Sequence, residues 1–175
     1  MIYYRLRGHE LQNDVQTMVQ VFYPNLHYYR TEEISAEETT VESSVEKGIA
    51  SAMLYRRGEQ VSAWSVPYTE PLTEKEKKRL VKLTIFALLS RETGMYPRWG
   101  LLTGVRPAKI VNTLLSEGKS DEECLRYLTE KYLVAQHKAE LTLKVAKAER
   151  RLLAGNEKTD ISLYIGIPFC PTRCL

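Results

Sequence analysis

A chain of 175 residues, 43% hydrophobic and 27% charged, has the make-up of an ordinary globular domain; it is too short for a large multidomain enzyme and too apolar to stay disordered. Its 25 basic and 22 acidic residues leave a net charge of only +3, with the two signs intermixed, so neither nucleic acid nor an anionic membrane is indicated as a partner. No apolar run approaches the ~18 residues of a spanning helix, and residues 1–8, with Arg5 and Arg7 and no apolar stretch, lack the form of a secretory signal. The expectation is a cytoplasmic protein whose three cysteines stay reduced.

Residues 2–7 alternate, with Ile2, Tyr4 and Leu6 on one face, which is the period of a half-buried strand. Leu11, Val15, Met18, Val19 and Phe22 then fall at i, i+4, i+7, i+8 and i+11 and predict an amphipathic helix that Pro24 terminates. Residues 26–31 read as a second strand and the acidic residues 32–40 as a loop. Three further strand-like runs follow over 41–47, 49–56 and 61–66. The last two are joined by Arg57, Gly58, Glu59 and Gln60, where Gly58 supplies the permissive backbone of a hairpin loop. Pro67 and Pro71 close this strand-rich part.

Beyond it the period becomes helical. Thr73 and Glu76 form a capping box for a helix whose body, 80–89, is apolar on most sides and is expected at the centre of the fold. Pro107 fits the first turn of a second helix with Ile110, Val111, Leu114 and Leu115, which Gly118 ends. Ser120 and Glu123 open a third, with Leu125, Leu128 and Tyr132 facing inward. A fourth spans 136–153 with Leu141, Val145, Ala148 and Leu152 as its buried stripe, and Gly155 ends it. Strands first and helices after is the order of an α+β domain rather than of alternating βαβ units. The polar residues 155–160 mark a boundary between an α+β domain, 1–155, and a short C-terminal segment, 156–175.

In that segment Ile161, Leu163, Ile165 and Ile167 share one face of a predicted strand over 161–167, Pro168 stops it, and Cys170 and Cys174 follow on a loop. Thiolates are the soft ligands that zinc and iron–sulfur clusters prefer. Two of them cannot hold a cluster alone, and by spacing alone the pair reads equally well as unliganded thiols.

The string over 163–174, with Tyr164, Gly166, Pro168, Cys170, Pro171 and Cys174, strongly resembles the start of the C-x3-C-x2-C signature of radical S-adenosylmethionine proteins in the oxygen-independent coproporphyrinogen III oxidase family. The third cysteine of that signature would fall two positions beyond Leu175. Many relatives carry His where this chain has Gly166, which points to the coproporphyrinogen dehydrogenase, or HemZ-like, branch. The stretch 98–109, from Arg98 and Trp99 through Gly100 and Gly104 to Lys109, looks like part of the long N-terminal region that such proteins carry ahead of their barrel.

The resemblance implies an N-terminal portion of an oxidoreductase that decarboxylates porphyrinogen propionates to vinyl groups. Cys170 and Cys174 would be two of three ligands to a [4Fe–4S] cluster, Tyr164 would contact S-adenosylmethionine, and 161–167 would be the first strand of the barrel, left without neighbours. The chain alone would be inactive and would bind neither cofactor stably. The rival reading makes residues 1–155 a non-catalytic binding module, for instance of a haem chaperone, although such relatives begin close to their cysteines.

Arg98, Arg106 and Lys109 cluster near the turn formed by Gly100 and Gly104. Guanidinium forks would suit a substrate carrying several propionates; the plainer reading is a solvated helix start. The charge run 73–79 reads as a solvated helix turn. Cys124 is expected to pack in a core, His9, His27 and His137 to lie at surfaces or interfaces, and Tyr3, Tyr4, Tyr28 and Tyr29 to serve as strand formers rather than as a base-stacking platform.

Overall fold

A computed structural model of the chain describes residues 1–103, 106–155, 160–161 and 163–166. Five strands, β1 (Ile2–Arg7), β2 (Tyr28–Arg30), β3 (Thr39–Glu46), β4 (Ile49–Arg56) and β5 (Glu59–Pro67), form one sheet in the order β2-β1-β3-β4-β5. β1 runs parallel to both neighbours, with Tyr4 opposite Arg30 on one side and Val41 on the other. Parallel pairing requires a crossover, and helix α1 (Gln12–Phe22) supplies it between β1 and β2. The fold is α+β as expected, with one βαβ unit at its start.

The strands β3, β4 and β5 are antiparallel. The β4–β5 loop is shorter than predicted: Arg57 and Gly58, at φ 53° and 80°, form a two-residue turn of the kind whose twist matches the flanking strands. Polar Glu59 and Gln60 therefore belong to β5. The register shifts between Leu54 and Tyr55, which pair with Ser62 and Gln60 and leave Val61 as the extra residue of a bulge.

One face of the sheet carries the main core. Ile2, Tyr4, Val41, Ala50, Ala52 and Leu54 lie against Val15, Met18 and Val19 of α1 and Val81, Ile85 and Leu89 of α2 (Glu74–Thr93). Phe22 and Phe86 meet edge to face at 5.8 Å. Each such burial contributes roughly 1.5–3 kcal/mol before ordering costs. The capping box forms as read: the Glu76 N–H donates to Thr73 Oγ1 at 3.2 Å and the Thr73 N–H to Glu76 Oε2 at 2.9 Å. The apolar body of α2 is central to the core.

One buried polar group departs from expectation. His9 is 7% exposed, not at the surface. Its Nδ1 accepts the Leu11 N–H at 3.2 Å, so Nε2 carries the proton toward Ser43 Oγ at 3.0 Å, and burial pushes its pKa down. On the opposite face of the sheet Glu42, 2% exposed, is held by Arg5 at 3.1 Å and Arg7 at 3.9 Å.

The second layer is helical: α3 (Pro107–Ser116), α4 (Asp121–Arg126), a π-helical turn Tyr127–Lys131 and α5 (Gln136–Leu153). Val111, Cys124, Leu128, Val134, Ala139, Leu143 and Ala146 form its core. Ser120 and Glu123 cap α4 reciprocally, as predicted. The Cys124 thiol is buried and burial raises its pKa, which leaves it an inert packing group.

The expected stripe of α5 is corrected. Ala139, Thr142, Leu143 and Ala146 face inward, whereas Leu141, Val145 and Leu152 are exposed. Both rows of α5 are apolar, and the alanine row lets α3 and α4 approach more closely than a leucine row would. Past α5, the described part of the predicted strand, residues 161 and 163–166, lies outside any strand. Ile161, Leu163, Tyr164 and Ile165 are 81% or more exposed; Ile167 lies outside the described residues. No helix among the described residues is long and apolar enough to cross a membrane.

Candidate functional site

The stretch beginning at Arg98 joins the two layers. Gly100 closes a turn by donating its N–H to Pro97 O at 2.9 Å. The Leu101 N–H reaches Tyr132 O at 2.8 Å and the Ala135 N–H reaches Arg98 O at 2.9 Å, which seats this segment against 132–135. Gly100 has φ 54°, and a Cβ there would stand 2.1 Å from Tyr132 O and 2.5 Å from Leu133 C. Only glycine lets the two backbones come this close. Leu101 enters the sheet core, its neighbour Leu102 enters the helical core, and the Tyr132 ring packs on both.

Beside this joint, α2 and α3 stand apart and leave a cleft of about 780 Å³. Lys75, Lys78, Arg79 and Lys82 of α2 line one wall at i, i+3, i+4 and i+7, a single helix face. Arg106 and Lys109, with Ile110 and Leu114, line the other. Leu101, Leu102 and Tyr132 make an apolar floor.

Six basic and two acidic side chains, Asp14 and Glu117, give the lining a net charge of +4, more than the +3 of the whole chain. The positive charge is therefore focused here, and a concave cationic wall raises the local concentration of anions. Lys82 is neutralised by Asp14 at 3.0 Å and Lys78 reaches Glu74 at 4.0 Å. Among the described residues no carboxylate pairs with Lys75, Arg79, Arg106 or Lys109, and Arg79 Nε is buried without a hydrogen-bond partner. Burial, and then neighbouring Tyr127, raise the pKa of Tyr132, which keeps its hydroxyl protonated at neutral pH.

Such a lining can hold an anion with an apolar body. Among the described residues no group of three His, Cys, Asp or Glu side chains is placed to ligate a metal.

Of the cations singled out by sequence, Arg106 and Lys109 share the cleft. Arg98 does not: its side chain is exposed away from the lining and its carbonyl holds the joint. Gly104 lies outside the described residues, as do Cys170 and Cys174. Tyr164 is 92% exposed. Sequence reasoning passed over Lys75, Lys78 and Arg79 by reading 73–79 as a solvated turn. The available signal was a cationic row at i, i+3, i+4 and i+7 on the helix chosen as central.

No family model and no solved structure matches the chain. Over 115 residues, 61% of the chain and 23% of the relative, it is 38% identical to the oxygen-independent coproporphyrinogen-III oxidase-like protein HemZ of Bacillus subtilis. The chain thus spans less than a quarter of that protein's length. The match falls on the branch to which Gly166 and the stretch 98–109 point. Along those 115 residues the chain is similar to an oxygen-independent coproporphyrinogen-III oxidase-like protein.

Proposed function

We propose that this chain is the N-terminal module of a cytoplasmic radical S-adenosylmethionine oxidoreductase that acts on a porphyrinogen, in the manner of a coproporphyrinogen dehydrogenase. The 38% identity to the coproporphyrinogen-III oxidase-like relative carries the reading, and the cysteine string around Cys170 supports it. Residues 1–155, with two hydrophobic cores of their own, serve as a module ahead of the barrel that residues 161–175 begin.

The donor chemistry of Cys170 and Cys174 suits an iron–sulfur cluster, since thiolates are its usual ligands, with a third ligand from outside this chain. When bound, a [4Fe–4S] cluster supplies the electron that S-adenosylmethionine needs for hydrogen abstraction from a propionate. Tyr164 would orient that cofactor. Arg106 and Lys109 would bind substrate carboxylates through charge-assisted hydrogen bonds. Arg98 is assigned to the joint instead.

The gene past Leu175 provides the test, with a cysteine expected at the third position after Cys174. The longer product, reconstituted without oxygen, should hold about four irons per chain and lose them with Cys170→Ala or Cys174→Ala. Another residue at that position, or an iron content indifferent to both substitutions, would overturn the reading.

A further inference from the structure

We propose that the cleft between α2 and α3 is a binding site for an amphipathic polycarboxylate, held by Lys75 and Arg79 on one wall and by Arg106 and Lys109 on the other. This deepens the proposed function and rests on it where the ligand is a tetrapyrrole. The ligand's chemistry follows from the lining. Four cations that no carboxylate pairs among the described residues repel one another across the cleft, and a bound anion removes that cost. Because they stand on opposite walls, they suit separate anionic groups at the edges of one molecule better than a single compact anion.

Between the walls lie Leu101, Leu102 and Tyr132, which offer an apolar surface to the body of that molecule. A volume of about 780 Å³ falls in the range of small-molecule sites, roughly 300–1,000 Å³. The inner end of the α2 row is already neutralised by the Lys82–Asp14 pair, at 3.0 Å and largely buried. Ligand charge is therefore met by the outer residues of the row. Arg79 is the centre of this wall, since its buried Nε has no partner among the described residues and its remaining N–H groups can fork onto a carboxylate.

The probe is coproporphyrin III, a planar tetracarboxylate whose fluorescence reports binding to the full chain. One probe per chain should bind, and more weakly as salt rises. Arg79→Glu and Lys109→Glu, on separate walls, should each weaken binding by about tenfold and together by about a hundredfold. Lys144→Glu, exposed on α5 outside the cleft, should leave it unchanged. The milder Lys109→Gln keeps the test valid if a reversal unfolds the chain, which circular dichroism would reveal. The tetramethyl ester of the same porphyrin should bind poorly, and citrate, with carboxylates but no apolar body, should fail to displace the probe.

Equal affinity in wild type and Arg79→Glu, an ester that binds as well as the acid, or effective competition by citrate would each overturn the proposal. The two readings can fail separately. Loss of this binding in a longer protein that still carries its cluster would sink the cleft alone; cleft binding that responds to Arg79 in a longer protein without a cluster would sink only the proposed function.

Discussion

The two layers are built to different standards. Among the described residues, nineteen buried apolar side chains, many aromatic or branched, hold the sheet layer, whereas eight hold the helical layer, among them two alanines and a cysteine. Burial scales with the area removed from water, so the sheet layer carries the larger share of that stabilisation and the helical layer is seated against it through residues 98–103. The difference teaches that stability is unevenly shared and that the cleft lies at the boundary.

Gly100→Ala should break the comparison most severely. A Cβ in left-handed backbone, 2.1 Å from a carbonyl oxygen, should cost about 4 kcal/mol in denaturant unfolding. Hydrogen exchange should show α3 to α5 losing protection while β3 and β4 keep theirs. A cost below about 1 kcal/mol would mean that the joint does not hold the layers together.

A matched pair of core truncations sharpens it. Leu88→Ala in the sheet layer and Leu128→Ala in the helical layer remove the same atoms from fully buried sites and should each cost about 3 kcal/mol. The expected difference is in pattern: Leu128→Ala should open the helical layer locally, and Leu88→Ala should lower the global transition. Identical exchange profiles for the two would show one cooperative unit.

The smallest effect concerns His9, which belongs to the sheet layer. Its folded pKa lies below the ordinary 6.5 because burial penalises the imidazolium. The unfolded chain then binds the proton more readily, so the stability that His9 contributes is complete above pH 6.5 and declines as pH falls toward the folded value. His9→Gln should flatten that part of the stability profile. An unchanged slope between wild type and variant would assign the acid sensitivity to other groups.

What could be read from the sequence is what local chemistry decides. Thr73 with Glu76 and Ser120 with Glu123 were identifiable as caps because each box is complete within four residues. α1 was identifiable because only one of its faces is apolar. The span of α5 was identifiable but its inward face was not, since Leu141 and Val145 compete with Ala139 and Leu143 and only contact with α3 and α4 chooses between them. His9 was misplaced because its partners, Ser43 and the Leu11 N–H, are brought to it by the sheet and by the turn into α1. The cleft was half visible: Arg106 and Lys109 stood out near a turn, while Lys75 and Arg79 became part of it only when α2 was set opposite α3.

The placement of Leu101 in one core and Leu102 in the other also bears on which sequence changes the chain can accept. Successive Cα atoms are 3.8 Å apart, so this step fixes the spacing of the layers more tightly than any side-chain contact could. Substitutions of similar size at either position alter packing within one layer. An insertion of one residue between them changes the offset of both layers and the width of the cleft at once, so the length of this segment is more constrained than its composition.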